Sequence, residues 1–90
     1  MKKNIRIIVA DDNTLVREML VDGIADQKDF EILATASNGR ETIELIKEYE
    51  PDVVLLDLVM PIVDGLGVME AVREDNNGKV PYFIIVSAAG

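Results

Sequence analysis

Three short apolar runs in this chain each stop on a polar residue capable of chemistry. They are Ile5–Ala10 into Asp11 and Asp12, Val53–Leu56 into Asp57, and Tyr82–Val86 into Ser87. Runs of this length, rich in β-branched residues, read as buried strands. Between them lie segments with helical spacing. Strands alternating with helices call for a parallel sheet joined by right-handed crossovers. In such a sheet all three stops fall on one edge, at the carboxyl ends of the strands, where open α/β folds bind ligands. Three carboxylates and a hydroxyl gathered there describe a site for a divalent metal and a phosphoryl group.

The remaining segments complete the pattern. Asn13 or Thr14 caps a helix running to about Asp26, with Leu15, Val16, Met19, Leu20 and Ile24 on its apolar face. Arg17 and Glu18 on that helix read as a solvated face. Phe30–Ala36 is a second strand, and its interruption by Glu31 and Thr35 suits a sheet edge. Asn38-Gly39-Arg40-Glu41 reads as a capping box. The helix it opens buries Thr42, Leu45, Ile46 and Tyr49 until Pro51 stops it. Val53–Leu56 is apolar on both faces, as a central parallel strand must be. Asp64 caps a third helix through about Glu74, with Leu66, Met69 and Val72 inward. Asn76-Asn77-Gly78 signals a loop. Val80–Val86 is the fourth strand, with Pro81 tolerated near its start. The order is βαβαβαβ in one domain of 90 residues. The fourth strand is expected at an open edge, where Tyr82, Phe83, Ile84, Ile85 and Val86 invite pairing with a second copy.

Charge and composition exclude several functions. A net charge of −8 with pI near 4.3 repels phosphate backbones, so this segment is not expected to bind nucleic acid. The chain has no Cys and no His, hence no thiolate or imidazole chemistry. No apolar run approaches membrane-spanning length, and Ile5–Ala10 is too short for a signal peptide. A cytoplasmic protein without membrane contact is expected.

The acidic residues carry the chemistry. Carboxylates crowded together raise one another's pKa unless something neutralises them. A hard divalent cation does so with oxygen ligands, and Mg²⁺ suits a site offering few carboxylates plus water and phosphate oxygens. Alone, Asp11-Asp12-Asn13 reads as a turn and helix cap, and Asp57 as an ordinary strand end. Together, with Ser87 after the next strand, they read as a site. A metal-shielded Asp57 can attack phosphorus as a nucleophile and form an aspartyl phosphate. Ser87 can donate its hydroxyl to a phosphoryl oxygen, and the small Ala88 leaves room for it.

These residues resemble a known family. Val9-Ala10-Asp11-Asp12-Asn13, Pro51-Asp52 before an apolar strand, Asp57-Leu58-Val59-Met60-Pro61, Asp64-Gly65 and Ser87-Ala88 together resemble the receiver domain of bacterial two-component response regulators. Asn13 and the run Asp64-Gly65-Leu66-Gly67-Val68 also resemble the sporulation-initiating transcription regulators. The resemblance implies a flavodoxin-like (CheY-like) three-layer α/β fold over residues 1–90, truncated after the fourth strand and lacking the last helix-strand-helix portion. It implies that Asp57 accepts a phosphoryl group from a sensor histidine kinase or phosphotransfer protein. Asp12, Asp57 and the Val59 backbone carbonyl would ligate Mg²⁺, Asp11 would act mainly through a water, and Ser87 would be the switch hydroxyl. Met60 and Pro61 would shape the loop after Asp57, and Asp64-Gly65 the turn into the third helix. The kinase surface would include Thr14–Asp26, and the output would be transcription, controlled from another domain. Such a domain is a signalling module, with no catalysis beyond assisting its own phosphorylation and dephosphorylation.

The family's later lysine and aromatic switch residue are absent from the sequence, and Lys79 and Pro81, lying at the start of the fourth strand rather than after it, cannot replace the lysine. Slow or absent phosphorylation is therefore expected of this chain. Three further readings compete. One is a phosphorylation-incompetent receiver fragment acting through self-association or partner binding. Another is a Mg²⁺-dependent aspartyl phosphohydrolase, which needs a second Asp where Val59 stands. The last is a nucleotide-binding domain, which needs a glycine-rich loop where Asp11-Asp12-Asn13-Thr14 stands.

Overall fold

A computed structural model describes residues 4–75 and 78–86. Four strands, β1 (Ile5–Ala10), β2 (Phe30–Ala36), β3 (Val53–Leu56) and β4 (Tyr82–Ile85), alternate with three helices, α1 (Thr14–Ala25), α2 (Gly39–Tyr49) and α3 (Gly65–Glu74). All strand pairs are parallel, in the order β2-β1-β3-β4. The chain steps from β1 outward to β2, then reverses to β3 and β4. Right-handed crossovers therefore put α1 on one face and α2 with α3 on the other. The result is the three-layer α/β arrangement expected. The helix path diverges between neighbouring β1 and β3, and at such a switch point a crevice opens at the carboxyl ends of the strands.

The core lies between the sheet and the α2–α3 pair. Ile8, Ala10, Val54 and Leu56 point into it, and Ile46, Val68, Val72 and Met60 close over them. Strand β2 is an edge, as its polar interruptions imply. Its register slips after Ile7↔Ile32 to Ile8↔Ala34, so Leu33 is an extra residue packed against the core. Strand β4 is shorter than the expected Val80–Val86. Pro81 has no N–H, and the ladder starts with the Tyr82 N–H donating to the Asp52 carbonyl at 3.0 Å.

Two helices are rotated from their expected faces. Leu15 and Met19 on α1 are 73% and 70% exposed, and no α1 residue is fully buried. The half-buried stripe is Val16, Arg17, Leu20, Val21 and Ile24. The reason is that α1 rests chiefly on β2 and β1, so only a narrow strip of it is covered. On α3, Leu66 is exposed while Gly65, Val68 and Val72 are buried. The tight seat of Gly65 sets that rotation. By contrast, α2 follows its sequence pattern: Thr42 and Ile46 are buried, and Leu45 and Tyr49 are half-buried. No helix among the described residues is long and apolar enough to cross a membrane.

A polar clip secures the amino ends of the strands. Helix α2 ends on Glu50 in the left-handed region, φ 45°, before Pro51. The Arg6 guanidinium donates to the carbonyls of Tyr49 at 2.8 Å and Glu50 at 3.1 Å, satisfying groups the helix leaves open. Asp52 accepts from the Arg6 N–H at 2.9 Å and pairs with the Lys79 ammonium. Asp52 thus links β1, β3 and the entry to β4. Its hydrogen bond from Lys79, aided by that from Arg6, holds the Asp52 carboxyl below its ordinary value. The stabilisation is therefore present above the usual carboxylate range and lost as pH falls through the lowered value. Asp52→Asn should cost about 1 kcal/mol at neutral pH, the scale of one backbone hydrogen bond plus an exposed pair. Urea unfolding at neutral and strongly acidic pH checks this; a cost that fails to shrink in acid contradicts it.

Candidate functional site

The first two strand ends meet as expected. Asp11 and Asp12 follow β1, and Asp57 follows β3. Parallel pairing sets Ala10 opposite Leu56, and the Asp57 N–H donates to the Ala10 carbonyl at 3.0 Å. Carboxylate oxygens of Asp11, Asp12 and Asp57 lie within 4.8 Å of one another. Ser87 and Ala88 lie outside the described residues. Lys79 sits with Asp52 at the opposite edge of the sheet.

Each carboxylate is held differently. Asp11 is 3% exposed. Its N–H donates to the Ala36 carbonyl at 3.0 Å, and its Oδ1 accepts from the Asn13 N–H at 2.9 Å. Asn13 in turn caps α1, accepting from the Val16 N–H at 3.1 Å. Asp12 is exposed. Asp57 is half-buried, and its Oδ1 accepts from the Val59 N–H at 3.2 Å. Among the described residues no lysine or arginine pairs with any of the three carboxylates. Arg17 instead donates through Nη1 to the Asp11 backbone carbonyl at 2.7 Å. It is therefore not on a solvated face, as its charge had suggested.

The loop from Asp57 to α3 is wedged. Gly65 N–H donates to the Leu58 carbonyl at 3.0 Å, and a Cβ on Gly65 would lie 2.7 Å from the Asp57 carbonyl oxygen. A Cβ on Gly39, at the start of α2, would lie 1.8 Å from the Val63 carbonyl oxygen. Neither site has space for a methyl group. Between them Ile62 adopts φ 72°, and the Val63 N–H donates to the Pro61 carbonyl at 2.8 Å. This is a γ-turn with a β-branched residue at its centre, a strained choice. The caps at each helix are as read. Asp64 accepts from the Gly67 N–H at 2.8 Å, and Asn38 from the Glu41 N–H at 2.8 Å. Glu41 reaches back to the Ser37 N–H at 2.8 Å, one residue before the position a standard capping box uses. Sequence reasoning noticed Gly39 and Gly65 only as cap and turn residues. Ile62, with no glycine or asparagine signal, could not be found from sequence.

The electrostatics favour a cation. At such separations like charges repel by a few kcal/mol even at an effective dielectric of about 20. Burial first, then the charges of Asp11 and Asp12, push the Asp57 carboxyl up, and a hydrogen bond with Asp12 adds to this. An all-oxygen, anionic set with no pairing side-chain cation among the described residues fits a hard divalent ion. The raised value has a definite sign. The folded state holds the Asp57 proton more tightly than the unfolded one. Asp57 therefore favours folding below the ordinary carboxylate range, and that benefit is lost as pH rises through the raised value. Without divalent metal, Asp57→Asn should be more stable than wild type at neutral pH, with the gap narrowing in mild acid. Denaturant midpoints at both pH values test this; equal or lower stability of Asp57→Asn at neutral pH refutes it.

Comparison with known proteins agrees with this geometry. Residues 7–90 match the response regulator receiver domain family. The signal receiver domain of the response regulator NarL from Mycobacterium tuberculosis is 34% identical, with TM-score 0.90, covering 98% of this chain and 69% of that one. A DNA-binding response regulator of the LuxR family from Staphylococcus aureus is 39% identical, with TM-score 0.83, covering 91% and 67%. The CheX-CheY-BeF3-Mg²⁺ complex from Borrelia burgdorferi matches at 27% identity and TM-score 0.80, covering 98% and 64%. The chain thus spans about two thirds of these solved chains. Its parallel sheet, its crevice at the switch point and its matched residues agree, and the chain belongs to the response regulator receiver domain family.

Proposed function

We propose that this chain is the phosphoacceptor module of a two-component signalling protein, with Asp57 as acceptor. The observation that carries the reading is the Asp11, Asp12 and Asp57 cluster, gathered from two strands at the switch point. Receiver domains bind Mg²⁺ at an acidic pocket, and the donor set here fits that ion. Asp12, Asp57 and the Val59 backbone carbonyl would hold it, with Asp11 acting through water. When bound, Mg²⁺ supplies charge to offset the carboxylates and the phosphoryl oxygens. A carboxylate oxygen of Asp57 attacks phosphorus as the bond from phosphorus to the donor's imidazole nitrogen breaks. The imidazole leaves with the electron pair. Ser87 is assigned as the hydroxyl that then meets a phosphoryl oxygen.

Receiver domains work with histidine kinases or phosphotransfer proteins, and such a donor is the partner proposed here. The Borrelia CheY match, solved with BeF3 and Mg²⁺, supports the acceptor assignment. The Staphylococcus match, a DNA-binding regulator, supports transcription as the downstream output. A full-length protein without a nucleic-acid-binding module would overturn that output.

Incubation with Mg²⁺ and acetyl phosphate should add one phosphoryl group to the wild type, more slowly than to a longer version of the chain, and none to Asp57→Asn, as read by intact mass. Uptake that persists in Asp57→Asn refutes the assignment. No uptake by the wild type, where a longer version of the chain reacts, selects the second reading, a phosphorylation-incompetent receiver. An exposed apolar strand favours that alternative. Among the described residues β4 has no neighbour on its outer side, and Tyr82 and Ile84 are 79% and 51% exposed. Self-association through this strand should appear in sedimentation velocity and weaken in Tyr82→Lys; a wild type that stays monomeric at millimolar concentration excludes it.

A further inference from the structure

Arg17 stands apart from the rest of α1. It is half-buried on the sheet-facing strip, where the neighbouring positions are apolar. Its guanidinium spans to the loop before the helix and donates to the Asp11 carbonyl at 2.7 Å. The acceptor matters more than the bond. The Asp11 carbonyl and the Asp12 N–H belong to one peptide unit, which is planar and rigid. Fixing that oxygen fixes the Asp12 nitrogen and Cα, and with them the root of the Asp12 side chain. Asp12 is otherwise an exposed residue in a bend. The Asn13 N–H, bonded to the Asp11 carboxylate, holds the Asp12–Asn13 peptide on the far side of Asp12, which leaves the Asp11–Asp12 peptide to Arg17.

We propose that Arg17 is a positioning residue for the acidic pocket. It locks the Asp11–Asp12 peptide so that Asp12 presents its carboxylate beside Asp57 for a divalent cation. This inference rests on the metal-binding reading above. Arg17 brings two opposed effects. Its positive charge repels a cation, and its hydrogen bond organises the ligands. The guanidinium is bonded to a carbonyl rather than to a carboxylate, and it is partly open to solvent, so its charge is screened at the metal position. Loss of an outer partner that orients a ligand weakens metal binding by roughly 10-fold to 100-fold. Position should therefore outweigh charge.

The sign of the change decides between them. Mg²⁺ binding is measured by isothermal titration calorimetry on wild type, Arg17→Met, Arg17→Lys and Asp57→Asn. Arg17→Met should bind Mg²⁺ about 10-fold more weakly although it has lost a positive charge. Arg17→Lys, which can still reach the carbonyl with one donor, should recover much of the loss. Unchanged or tighter binding by Arg17→Met overturns the proposal. Should Arg17→Met not fold, Arg17→Leu carries the same test, since it too drops both the charge and the donor and must weaken binding. A wild type that shows no Mg²⁺ site sensitive to Asp57→Asn would instead overturn the metal reading, and the role of Arg17 with it. Amide shifts of Asp12 and Asn13 in metal-free protein give an independent readout. They should move in Arg17→Met, while those of β3 should not.

Discussion

The parallel pairing of β1 with β3 is the constraint on which everything else depends. It puts Ala10 beside Leu56 and so brings the residues that follow, Asp11, Asp12 and Asp57, to one place. The backbone ladder forces this proximity, and the side chains resist it. Burial first, and then this crowding, raise the Asp57 carboxyl. Buried apolar contacts on the α2–α3 face supply the stability that tolerates it. Val54 and Leu56 on β3, and Ile8 and Ala10 on β1, are all within 1% of complete burial. The strands that carry the acidic residues are thus anchored by the driest part of the molecule. Local electrostatic strain at functional positions, held by a well-packed scaffold, is the usual arrangement in such sites.

Much of this was legible in the sequence because it depends on period and strand ends. The apolar runs, the helix caps at Asn13, Asn38 and Asp64, and the convergence of Asp11, Asp12 and Asp57 follow from local pattern plus the handedness of crossovers. What escaped notice depends on tertiary neighbours. Leu15, Met19 and Leu66 have the right hydrophobicity for a core and the wrong surroundings, because nothing among the described residues covers them. The bulge at Leu33 shifts register in a strand whose composition shows no glycine. Arg6 and Asp52 look like ordinary surface charges in sequence, yet they join the ends of three strands and a helix. Arg17 looked solvated for the same reason, and its carbonyl acceptor lies six residues earlier in the chain.

Charge is used in two distinct ways at the two ends of the sheet. At the amino ends, Arg6 and Lys79 meet Asp52 and the open carbonyls of α2, so opposite charges and dipoles are matched. At the carboxyl ends, like charges face one another, and the nearby arginine binds backbone instead of relieving them. The matched end closes the structure on itself. The mismatched end is left wanting a ligand. Hydrogen bonds from Asn13 and Val59 hold the carboxylates in place without neutralising them.

The wedge at Gly39 has a mechanical meaning. With the Val63 carbonyl seated where a methyl group would be, the loop after Asp57 and the first turn of α2 have no backlash between them. A gear without backlash passes on small movements instead of absorbing them. Ile62, held left-handed beside the same contact, is a bent spring in that gear train. Any displacement of the loop inward pushes on the first turns of α2 and α3 together, so the shape of the pocket and the seats of those helices are a single mechanical variable.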